Sequence, residues 1–284
     1  MSRGTKVLLG VFVALTALAT NQLFVLSEHT DAWFAWTIKP ALTAAFLGGG
    51  YGAGFLMTLL ALRTHAWAHA GVPVLTVLVF SALTLAATLL HRDRFHWAAD
   101  GLVARFAAWF WLGVYVVVPV ALVLLAVHQQ RMPGEDPERR QRPPRWLSAV
   151  LAAQGAVMLV VGVVLFAAPG RATTLWPWPL TPLTARVVAA WLVAFGVAAL
   201  LALAEQDLER LEISAVAYTL FGVLELAALA RYADTVRWGS AAATVYLVVL
   251  VTIVPTGAVG LWAAARGRRR RAAGATPAAA TPAR

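Results

Sequence analysis

A chain of 284 residues that is 61% hydrophobic and only 13% charged, with a mean hydropathy of +0.74, is too apolar for a soluble domain, which is nearer half apolar and a quarter charged. Its apolar runs are continuous and about 20 residues long, enough to cross a ~30 Å hydrocarbon layer as helices, so a β-barrel built from short alternating segments is also excluded. The formal charge of +10 does not mark a nucleic-acid binder, because the excess sits in flanks and loops beside apolar segments. The lack of cysteine excludes disulfides, thiol catalysis and thiolate metal sites.

Taken in chain order, the hydropathy pattern predicts membrane helices over residues 7–26, 40–62, 72–90, 104–127, 146–168, 183–203, 211–230 and 241–265. The expected fold class is an all-α integral membrane protein of eight transmembrane helices, arranged as two parallel four-helix repeats. Arg3 and Lys6 precede the first segment, and Ala17-Leu18-Ala19 has the small residues of a signal-peptidase site. The apolar run nevertheless continues to Leu26, and the second half opens on a comparable internal segment, so the first helix is expected to be retained.

The repeat rests on particular residues. Trp36 stands four residues before Pro40, and Trp178 four before Pro182. Trp97 has a counterpart in Trp238, and Val118-Pro119 in Val254-Pro255. The expected organisation is a first repeat over 1–128, a cytoplasmic linker over 129–145 with Pro133, Pro137, Pro143 and Pro144, a second repeat over 146–271, and an Ala/Pro/Thr-rich tail over 272–284 that should be disordered. An even number of helices per half makes the copies parallel, related by a pseudo-two-fold axis along the membrane normal.

Eight crossings put both termini and the linker on one side. That side holds 15 of the lysines and arginines and the other holds 8, so the first should be cytoplasmic. The arginine- and alanine-rich composition fits a GC-rich bacterial genome and hence a bacterial plasma membrane.

Glu225 is the sharpest candidate for chemistry. It interrupts an apolar helix, where a central charge costs at least ~2.5 kcal/mol, so it should face protein or a water-filled cavity as a proton relay, a ligand counter-ion or a buried hydrogen-bonding acid. Arg186, one turn into the preceding helix, is a candidate partner, although helix rise sets it ~9 Å further out; snorkelling to headgroups is its ordinary role. Asn21, Gln22, Lys39, Thr43 and Thr184 complete an expected polar layer in the outer third. It is asymmetric, because Thr84 stands where the second half has Glu225. Trp36 and Trp178 belong to an outer face rich in tryptophan, an aromatic belt that could also wall a pocket. The ligand-binding set is therefore Glu225, Arg186, Asn21, Gln22, Lys39, Trp36 and Trp178.

Other clusters carry less. His91, Asp93 and His96 could meet a metal, but Arg92 and Arg94 oppose a cation, and no metal or other cofactor is implied. His65 and His69 flank Trp67 at the opposite boundary, and Gln154 should make an interhelical hydrogen bond. Gly50 and Gly54 form a small-xxx-small pair for close packing, with a locally broken helix as the alternative. The acidic hairpin 205–212 reads as a solvated turn or a docking point. No Ser/His/Asp set, nucleotide loop or metal motif stands out, so an enzyme is disfavoured. The expected role is small-ligand binding or transport between the halves; the alternative is an accessory or scaffold protein that binds lipid or another membrane protein.

Overall fold

A computed structural model describes residues 3–63, 70–131 and 138–274 of the chain. Eight helices are long and apolar enough to cross a membrane, and no strand occurs among the described residues. They are α1 (Arg3–Thr20), α2 (Ala41–Arg63), α3 (Gly71–Leu90), α4 (Leu102–Gln130), α5 (Arg145–Ala167), α6 (Pro182–Glu205), α7 (Glu212–Arg231) and α8 (Ala241–Gly274). The end of α1 widens into a π-helical turn, Asn21–Val25. The last helix runs nine residues past its expected end at 265. Its arginine-rich extension leaves the apolar span and is held by an ion pair between Arg268 and Glu212. His65, Trp67 and His69, like Pro133 and Pro137, lie outside the described residues.

The helices form two layers of four. One layer runs α1, α2, α7, α8, and the other runs α4, α3, α6, α5. Each layer therefore takes two helices from each half of the chain. The middle helices pair across the halves, α2 with α7 and α3 with α6, rather than within them.

Glycines on α2 explain how one helix serves several neighbours. A Cβ on Gly48 would collide with the backbone at Leu23 and Phe24, one on Gly49 with the Glu225 carboxyl, and one on Gly50 with the Trp191 ring at 2.8 Å. Three consecutive glycines thus admit α1, α7 and α6 to close contact, the approach that small residues permit where no hydrophobic force drives helices together. Gly54 meets only Thr16, at 3.7 Å, so the expected Gly50/Gly54 pair is not the packing motif. The helix is continuous through this run, which removes the broken-helix alternative.

The face opposite the termini is built from short turns. The loop before α2 is tied to the loop after α3 by His96 N–H donating to Ala35 O at 2.9 Å. The loop before α6 is tied to the loop after α7 by Arg237 N–H donating to Pro177 O at 2.9 Å. Trp97 and Trp238 each close a one-turn 3₁₀ helix, donating Nε1–H to the carbonyls of Arg92 (2.5 Å) and Ala233 (2.8 Å).

On the terminal face, residues 138–144 cross the hairpin between α6 and α7 as a strap. Asp207 accepts from Arg140 N–H at 2.8 Å, Leu208 N–H donates to Gln141 O at 2.8 Å, and Arg139 pairs with Glu205 at 3.4 Å. The hairpin is therefore not a solvated turn: the strap covers it, and Asp207 is buried.

Candidate functional site

Glu225 projects from α7 toward Gly49 of α2 and is 1% exposed. Its Oε2 accepts from Tyr246 O–H at 3.1 Å, while Oε1 has no hydrogen-bond partner among the described residues. Tyr246, on α8, also packs edge-on to Trp176 and Trp178, each at 5.3 Å. The carboxyl thus ends in a closely packed seam between α2 and α7 that exists because position 49 has no side chain.

The other residues of the expected set are dispersed. Arg186 does not reach Glu225. It donates one guanidinium N–H to His91 Nε2 at 2.6 Å and its Nε–H to Phe166 O at 3.1 Å, bridging α6 to the end of α3 and to α5. Helix rise gives the depth of Arg186 but not its direction around the helix, and it points to α3. Asn21 and Lys39 are exposed, and Gln22 is half-buried at the π-turn. Trp178 shares Tyr246 with Glu225, so these two are brought together.

The tryptophans divide by function in the fold. Trp33, Trp109 and Trp238 are exposed, as an aromatic belt requires. Trp36 and Trp178 are buried plugs. Trp36 packs on Phe34, Phe95 and Trp111 at 4.9–5.1 Å. Trp178 packs on Trp176 at 5.0 Å and donates Nε1–H to Thr43 Oγ1 at 2.9 Å, joining the loop before α6 to α2.

The loop residues His91, Asp93 and His96 turn to separate partners. His91 accepts from Arg186, which requires a neutral imidazole protonated on Nδ1. Partial burial, then the Arg186 charge, lowers its pKa from the ordinary histidine value; Asp93 opposes this and Arg94 adds to it. Asp93 pairs with Arg94 at 2.9 Å. His96 donates Nδ1–H to Phe34 O at 3.0 Å and accepts from Thr37 at 3.1 Å. Gln154 donates to Thr252 at 3.0 Å and accepts from Tyr218 at 3.2 Å, linking α5 to α8 and α7.

A void lies elsewhere than the expected outer layer. A cavity of about 210 Å³ runs between the two layers from mid-helix to the terminal face. Aromatic rings close its mid-membrane end: Phe80 stacks on Trp191 at 3.9 Å, and Tyr51 and Phe195 flank Trp191 at 5.4 and 5.5 Å. Tyr51 and Tyr115 share a hydroxyl–hydroxyl hydrogen bond on its wall. Leu147, Leu208 and Leu211 line the other end, beneath the strap. Gly50 and Tyr51 line the cavity directly after Gly49, the residue against Glu225. These mid-helix aromatics were missed in the sequence, although Tyr51 and Trp191 lie too far from either helix end for an interfacial belt, which was the available signal.

No family model, curated protein or solved structure matches the chain.

Proposed function

We propose that the protein binds a small, largely apolar molecule in the cavity between its layers, as a binding or transport protein of the bacterial plasma membrane with both termini cytoplasmic. The observation that carries this is the lining: helices from both halves contribute to one cavity with aromatic walls and scattered hydroxyls from Thr58, Thr76, Ser81 and Tyr218. Such pockets hold an apolar body and orient it through a few polar groups. An apolar cavity of ~150 Å³ holds benzene, so one of 210 Å³ takes a molecule of roughly eight non-hydrogen atoms.

The halves are proposed to be a duplicated four-helix unit. The paired loop ties His96–Ala35 and Arg237–Pro177, the paired indole contacts of Trp97 and Trp238, and the reciprocal pairing of α2 with α7 and α3 with α6 support it. Exchanging the halves exchanges the two layers, and transporters built from repeats place their sites at that junction. The excess of arginine on the terminal face supports a cytoplasmic position for it.

Glu225 is proposed to respond to occupancy. A ligand pushing on Gly50 or Tyr51 would shift α2 and admit water to an acid whose one hydrogen-bond partner among the described residues is Tyr246. Substituting Glu225→Gln keeps the size and removes the ionisable proton. It should leave binding intact and abolish any proton-dependent transport of the ligand.

The test uses purified full-length protein in lipid nanodiscs, with benzene, indole and n-octanol as probes and thermal unfolding as the readout. A probe at 100 times its Kd adds ~2.7 kcal/mol of stability. Gly54→Leu, which fills the cavity from a position where a Cβ meets Thr16 at an ordinary 3.7 Å, should remove the effect. If no probe stabilises the protein, the cavity is a packing void and the accessory or scaffold role replaces this one.

A further inference from the structure

The start of α5 and the far end of α8, remote in the sequence, meet at one edge of the terminal face. Gln141 donates Nε2–H to Ala263 O at 2.6 Å, and Leu147 packs with Ala264 and Leu208. This meeting gathers Arg142 and Arg145 beside Arg266 and Arg269, all four exposed. None of the four forms an ion pair among the described residues, whereas the neighbouring Arg139 and Arg268 are engaged by Glu205 and Glu212.

Two tryptophans fix the depth of this edge. Trp146 and Trp262 are 55% and 60% exposed at the ends of the apolar spans, where amphipathic rings sit at the headgroup level. From Ala241 to Trp262, α8 rises about 32 Å, which uses up the hydrocarbon layer, so Arg266 emerges ~6 Å beyond it. Its guanidinium lies 4.9 Å from the Trp262 ring. The free guanidinium groups therefore stand at the level of lipid phosphates, next to surface that faces acyl chains. A guanidinium fork matches phosphate oxygens with two parallel hydrogen bonds.

We infer that this edge binds the headgroup of an anionic phospholipid, with Trp146 and Trp262 against its chains and the four arginines around its phosphate. The binding does not depend on what occupies the central cavity.

The full-length protein, delipidated in detergent, is titrated with phosphatidylglycerol or phosphatidylcholine and bound lipids are counted by native mass spectrometry. Phosphatidylglycerol should bind preferentially, weaken as salt rises, and lose about fivefold in affinity for each arginine removed. The fourfold variant Arg142→Gln/Arg145→Gln/Arg266→Gln/Arg269→Gln should lose the preference, while Arg105→Gln/Arg171→Gln on the opposite face should keep it. If the fourfold variant does not fold, the single change Arg269→Gln should weaken phosphatidylglycerol binding about fivefold and leave phosphatidylcholine unchanged. Equal binding of the two lipids, or a preference that survives the substitutions, overturns the inference. So does displacement of the lipid by millimolar inorganic phosphate, which would assign the arginines to a soluble anion, or by an acidic peptide, which would assign them to a protein.

Discussion

Gly49 and Glu225 occupy one another's space: the carboxyl of α7 fills the volume that any side chain on position 49 of α2 would take. Among the described residues no cation pairs with this acid, and one of its oxygens accepts from Tyr246. Gly49→Ala should destabilise the protein by about 1–3 kcal/mol, the usual cost of overpacking. In the background of Glu225→Ala, the same substitution should cost much less. Thermal unfolding of the four proteins in the double-mutant cycle measures the coupling; additive effects would mean that the two residues do not touch.

How much of this was legible before the structure follows from what hydropathy encodes. Eight runs of about 20 apolar residues read directly as eight helices, and a single acid inside one of them marks itself. Depth is also readable, since the rise per residue is fixed. Azimuth is not. Helix rise sets how far along α6 Arg186 lies, but not that its side chain turns to His91. Helix pairing is likewise a tertiary choice, so the crossing of α2 to α7 and of α3 to α6, and the cavity it encloses, left no mark in composition. The tryptophan-rich loops signalled their depth, but not that Trp36 and Trp178 fill space instead of lining it.

Thr84 and Glu225 are each fourteenth in their helices, α3 and α7, and the Thr84 hydroxyl is buried with no hydrogen-bond partner among the described residues. A buried orphan hydroxyl costs free energy, and an apolar replacement of the same shape removes that cost. Thr84→Val should therefore leave stability unchanged or raise it by up to ~1 kcal/mol, as read by the unfolding midpoint. A clear loss would mean that the hydroxyl has a partner after all.

The contact between Arg186 and His91 should make stability depend on pH. The folded-state pKa of His91 is lowered by partial burial and by Arg186, so the unfolded chain binds the proton more readily. This contribution is fully present above the unfolded value of ~6.5 and is lost as pH falls below it toward the folded value. Unfolding midpoints measured from pH 8 to pH 5 should drop for the wild type and drop less for His91→Gln. Parallel curves would remove His91 as the responsible group.

Asp207 should be the latch of the strap that covers the terminal end of the cavity. It is 1% exposed and accepts from the backbone of Arg140 at 2.8 Å and of Glu209 at 3.0 Å, beside the Arg210 guanidinium. Asp207→Ala leaves two backbone donors and a cation without that carboxylate, and each unsatisfied buried group costs about 1–3 kcal/mol. The loss should fall first on the strap, because residues 138–144 are held largely by this hairpin and by Gln141, whereas α6 and α7 retain their own packing. Arg139 and Arg140 are already exposed, but trypsin needs the local backbone to open, so limited proteolysis after them should cut the variant between the halves faster than the wild type. Leu208, which donates its N–H to Gln141 O, also lines the cavity, so the same variant should take up and release a cavity probe faster. Faster cleavage without faster exchange would make the strap a brace; both together would make it the cover of the cavity.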